Sequence, residues 1–61
     1  MATHDDIKRE FETYLAENEK FTQKGIKASA TRARKALMEV AKLAKVRRTE
    51  IVAEKEALEN K

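Results

Sequence analysis

Cysteine, proline and tryptophan are absent from this 61-residue chain, and glycine and histidine occur once each. Without cysteine no disulfide can form, and one histidine alone cannot build an ordinary zinc site. The lack of thiols also fits a reducing compartment. Without proline nothing forces a helix to break, so helices can run long. The single glycine, Gly25, offers one obvious turn. No run approaches the ~20 apolar residues of a membrane span. The opening Met1-Ala2-Thr3-His4-Asp5-Asp6 is polar and acidic, unlike a secretory signal. A soluble, cytoplasmic protein is expected. Catalysis lacks its parts: a nucleophile needs a nearby base and an orienting group, and the one histidine, His4, lies at the chain's start. No enzyme activity, cofactor, metal or small-molecule substrate is expected.

What the chain has in quantity is charge. Charged residues make up 41%, equal to the hydrophobic share, and the net charge is +3. The signs are segregated. Residues 20–48 hold ten cations (Lys20, Lys24, Lys27, Arg32, Arg34, Lys35, Lys42, Lys45, Arg47 and Arg48) against one anion, Glu39, a net +9. Residues 1–19 carry net −4 and residues 49–61 net −2. A solvated helical face mixes both signs. A block of one sign marks a polyanion partner, of which DNA is the commonest.

The expected fold is all-α: an antiparallel helical hairpin with a longer second helix, forming one domain over residues 1–61. Thr3 and Asp6 resemble a capping box, and Asp5 and Asp6 suit the positive end of a helix dipole. Ile7, Phe11, Tyr14 and Phe21, with Asn18 between, recur at steps of four and three, a helical stripe. The first helix is placed at about residues 3–24 and the turn at 25–28, with Gly25 left-handed and Phe21 near Ile26 in a Schellman motif. The second helix should start near Lys27 to Ser29 and is placed at about 29–60, with Ser29 as N-cap. Its apolar face is Ile26, Ala30, Ala33, Leu37, Val40, Ala44, Ile51 and Leu58. Folding at Gly25 pairs residues whose numbers sum to about 51: Phe21 with Ala30, Asn18 with Ala33, Tyr14 with Leu37, Phe11 with Val40, Ile7 with Ala44. Residues past about 48 overhang the first helix, leaving Ile51, Val52 and Leu58 uncovered. A stripe that outruns its partner suggests a second chain. A homodimer, two hairpins in a four-helix assembly, is therefore expected.

The candidate binding residues are Lys27, Arg32, Arg34, Lys35, Lys42, Lys45, Arg47 and Arg48, all on the second helix. Lys27, Arg34, Lys35, Lys42, Lys45 and Arg48 fall in an arc opposite the apolar face. Arg32 lies beside the turn, and Arg47 points nearer the apolar side. Each phosphate they neutralise releases counterions. No Asn or Gln and no aromatic residue is interleaved with them on this helix, so neither base-edge readout nor base stacking is served. The expected partner is double-stranded DNA, contacted through its backbone without sequence preference. RNA binding by the same face and a coiled-coil protein-interaction module are the rival readings.

The run Gly25-Ile26-Lys27-Ala28-Ser29-Ala30-Thr31-Arg32-Ala33-Arg34-Lys35 resembles the signature of the bacterial linker-histone-like family, which includes the chlamydial nucleoid-condensing histones. Its pattern is Gly-x-Lys-Ala followed closely by Arg-x-Arg. The run Ala44-Lys45-Val46-Arg47-Arg48-Thr49-Glu50-Ile51 resembles that family's later basic stretch. The likeness spans about residues 24–55. It implies a DNA-associated, nucleoid-organising protein, and it points to Lys27, Arg32, Arg34, Lys35, Arg47 and Arg48. Ile26 stands where the pattern more often has Asn. The 61 residues hold no counterpart of the long Lys/Ala-rich tail of chlamydial members.

Overall fold

Alanine, lysine, glutamate and arginine are strong helix formers, and uninterrupted runs of them produce two helices. The computed structural model describes residues 2–60. It contains α1, Ala2–Lys24, and α2, Lys27–Glu59, packed antiparallel as a hairpin, with no strand among the described residues. The fold class is the expected one. The Cα trace spans 53 × 14 × 13 Å, so the molecule is a rod two helices wide.

The turn follows from Gly25, whose φ of +67° is the left-handed conformation that a side chain disfavours. Its N–H donates to the Phe21 carbonyl at 3.0 Å, the single bond of an αL helix end. The expected Schellman pattern is not the one formed, since the Ile26 N–H reaches the Lys20 carbonyl at 3.5 Å. A Cβ at residue 25 would meet nothing within 4 Å. Gly25→Ala should therefore lose only the backbone term, about 1–2 kcal/mol, read as a lower denaturation midpoint with unchanged helicity. An unaltered midpoint would contradict the left-handed assignment.

α2 starts at Lys27, within the expected start between Lys27 and Ser29, but Ser29 is not its N-cap. Its N-cap is Ile26, which makes no side-chain capping bond. The Ser29 N–H instead donates to the Ile26 carbonyl at 3.1 Å. Ser29 is fully buried (0% exposed), together with Ala33 and Ala36. Its hydroxyl is turned into the helix interface and so cannot cap the helix.

The interface is a heptad seam. Covered residues recur at steps of four and three: Thr3, Ile7, Glu10, Tyr14 and Glu17 on α1, and Ser29, Ala33, Ala36, Val40, Leu43, Arg47 and Glu50 on α2. That spacing is the coiled-coil period of 3.5 residues per turn. The seam is rotated from the expected one by about 50° on both helices, at 100° per residue. Ile7, Tyr14, Ala33 and Val40 belong to both readings. Phe11, Phe21 and Leu37, expected inside, are 47%, 42% and 45% exposed. The physical cause is the row of small side chains at Ser29, Ala33 and Ala36. These permit close backbone approach, and Glu10, Tyr14 and Glu17 fill the space opposite them. The larger Phe11 and Leu37 are left on one flank. Phe11 leans on Tyr14 there, with ring centroids 6.1 Å apart.

The pairing of α1 with α2 reaches as far as Thr3, whose hydroxyl donates to Glu50 Oε2 at 2.8 Å. Every residue from 51 to 60 is exposed. α2 therefore overhangs its partner, as expected.

Candidate nucleic-acid interface

At the seam's 3.5-residue period, Lys27, Arg34 and Arg48 share one row of α2. Lys35 and Lys42 share a second row, and Lys45 stands between the two. The six occupy an arc of about 100° directly opposite the seam. All six are exposed. Lys42 leans on Glu39 at 3.7 Å. The other five have no ion-pair partner among the described residues. From Lys27 to Arg48 the strip runs about 32 Å at 1.5 Å per residue, close to one turn of duplex DNA.

The two remaining candidates lie elsewhere. Arg32 sits on the flank. Its Nε faces Glu17 Oε2 at 3.1 Å, and its Nη2 donates to Ser29 Oγ at 3.2 Å. Arg47 does not face outward. It occupies the seam, with Nη1 2.6 Å from Glu54 Oε2 and 3.2 Å from Glu50 Oε1. The hydrogen bond it donates to Glu54, then that to Glu50, holds the guanidinium more firmly protonated than usual. Arg47 is thus committed to carboxylates of the same helix. Its position was legible as pointing toward the apolar side, but its partners three and seven residues on were not weighed.

Glu17 is a residue the sequence reading missed. The carboxylate reaches across from α1 to the first turns of α2. Its Oε2 is shielded from water. The Ser29 hydroxyl, then the Arg32 guanidinium, holds its pKa below the ordinary 4.5, with Lys20 at 3.6 Å contributing less. An acidic residue on a helical stripe is usually read as solvated. The signal available was the pairing of Glu17 with Ser29 and Arg32 once the chain folds at Gly25.

The sign of the resulting pH dependence follows from the depressed folded value. The stabilisation is present above the unfolded pKa near 4.5 and is lost as pH falls through the lower, folded value. Glu17→Gln should remove that part of the acid limb. Denaturation midpoints of the two chains, compared between about pH 7 and 3, should converge at the acid end. Parallel curves would refute the linkage.

The hairpin's two flanks differ. One holds an open polar groove lined by Glu10, Thr13, Arg32, Lys35, Ala36 and Glu39. The other carries exposed Phe11 and Leu37. Neither gathers a nucleophile with a base, and no group of His, Asp and Glu able to hold a metal occurs among the described residues. None of the described helices is long and apolar enough to cross a membrane.

Comparison with known proteins gives one family. The sequence model of the family described as histone H1-like protein Hc1 matches residues 1–57. No curated protein and no solved structure matches.

Proposed function

Because the chain belongs to the histone H1-like Hc1 family, a family of DNA-binding, nucleoid-condensing proteins, we propose that it binds duplex DNA without sequence preference through the outer strip of α2. Lys27, Arg34, Lys35, Lys42, Lys45 and Arg48 are the phosphate contacts, with Arg32 an auxiliary at the flank. The observation that carries this reading is the strip itself: six cations on one 100° arc, five of them unpaired among the described residues. A surface kept for solvation would spread anions through the strip, whereas between Lys27 and Arg48 the sequence has one anion, Glu39. Guanidinium and ammonium groups carried on one straight helix are spaced to meet successive phosphates, which fix the protein's position but carry no sequence information. The absence of Asn and Gln from the strip removes the groups that read adenine. The protein acts at the nucleoid, as a homodimer, and performs no catalysis.

Salt titration tests this. Six neutralised phosphates give a slope of log affinity against log salt near −5 on duplex DNA, and about a thousandfold weakening between 50 and 200 mM salt. A flat titration would overturn the proposal. Preference for single-stranded RNA in direct competition would reassign the polymer.

A further inference from the structure

We propose that Glu17 withholds Arg32 from the phosphate backbone, so that a carboxylate of α1 sets how many phosphates α2 can engage. This rests on phosphate binding by the outer strip and adds the residue that limits it.

Arg32 stands where one more contact is to be had. It lies three residues before Lys35, and at the seam's period its row is about 50° beyond the row of Lys35 and Lys42. Arg32 and Lys35 line the same open groove on that flank, with Thr13 of α1 across from them. Phosphates seated on Lys35 therefore pass beside the Arg32 guanidinium.

That guanidinium is already occupied. Glu17 Oε2 lies 3.1 Å from Arg32 Nε. Arg32 Nη2 donates to Ser29 Oγ at 3.2 Å, and the Ser29 hydroxyl donates to the Glu17 carboxylate. The three groups close a ring through Nε and Nη2, one edge of the guanidinium fork, the feature that suits arginine to a phosphate. Lys20 faces the same carboxylate at 3.6 Å.

Burial decides whether a phosphate can displace the carboxylate. The Glu17 side chain is 13% exposed and its Oε2 is shut off from water. Arg32 cannot turn to DNA without leaving a covered carboxylate short of its partner, and a group stranded in that way carries its full desolvation penalty. Lys42 and Glu39 are the contrast. Their side chains are 68% and 40% exposed and 3.7 Å apart, and an ion pair so open to water is weak. Lys42 can exchange Glu39 for a phosphate, whereas Arg32 is held. The carboxylate at Arg32 also repels an incoming phosphate, since both are anions directed at one cation. Contact stays on the outer strip, and Arg32 remains auxiliary for as long as Glu17 is charged.

A double-mutant cycle tests this. Glu17→Gln keeps the shape of the side chain and removes its charge. It should tighten binding to every duplex sequence roughly fivefold at physiological salt and steepen the salt slope by about 0.9, the effect of one more phosphate. Glu19→Gln removes the same charge from an exposed site of α1 and should leave the slope unchanged. In a chain carrying Arg32→Ala, Glu17→Gln should lose its effect. A Glu17→Gln chain that binds like the parent, a Glu19→Gln chain that gains as much, or a gain that persists without Arg32 overturns the proposal. The parent chain supplies a measurement that needs no variant to fold. In nitrogen-15 spectra, a short duplex should move the Nε–H signals of Arg34 and Arg48 and leave that of Arg32 in place. An Arg32 signal that moves with them also overturns it. If the strip binds no DNA, titrations of all the chains are flat and none of the arginine signals moves, and both readings fall. If the parent slope stays near −5 while Glu17→Gln matches Glu19→Gln, the withholding of Arg32 falls alone.

Discussion

Replacing Arg34, Lys35 and Arg48 together with alanine is expected to weaken binding to every duplex sequence by roughly a hundredfold at physiological salt. Each lost phosphate contact removes about 0.9 from the salt slope, so the slope should become shallower by close to 2.7. The three side chains project away from the seam, and no carboxylate of a described residue pairs with them. Alanine also favours helix. Helicity and thermal stability should therefore persist, separating lost binding from lost folding. A mobility-shift series across salt, on two unrelated sequences, decides the matter. Loss on only one sequence would contradict backbone contact. An unchanged slope would show that the strip is not the binding face.

Introducing leucine at Ala33 and Ala36 should have the largest effect on stability. Ala36 is 2% exposed and Ala33 6%, so neither site has room for a larger side chain. Overpacking costs typically 1–3 kcal/mol per site. A chain of this length is stabilised by about 3–9 kcal/mol in all, at 0.05–0.15 kcal/mol per residue. The double variant should accordingly lose most of its pairing between helices. The same change at exposed Ala28 and Ala41 should stay within about 0.5 kcal/mol. Thermal melts followed by far-ultraviolet circular dichroism compare the two pairs. Equal midpoints for both would show that the seam lies elsewhere.

Much of the hairpin was legible in the sequence, because its causes are local. Uninterrupted helix formers, the turn at Gly25 and the unequal helix lengths follow from residue type and order. So does the outward strip: period alone sets Lys27, Arg34, Lys35, Lys42, Lys45 and Arg48 opposite the apolar face. Phe11 and Leu37 are apolar and fit the stripe, yet they flank the seam. Phe21 keeps to the row of Ile7 and Tyr14 but is exposed near the end of α1. The apolar face of each helix is broader than the contact it makes, and composition does not say which edge is buried. Ser29 shows the same thing from the other side. It is a good N-cap by type, but its place opposite Glu17 draws it into the interface.

The sequence by itself determined two helices, one left-handed turn, a long second helix and a cationic face on it, since these depend on backbone preference and helical period. Tertiary structure alone decided how far each helix is rotated about its axis. That rotation depends on how closely the backbones can approach at Ser29, Ala33 and Ala36, a property of two surfaces together. It also decided that Glu17 holds Arg32, a pair that exists only once packing brings α1 and α2 within reach.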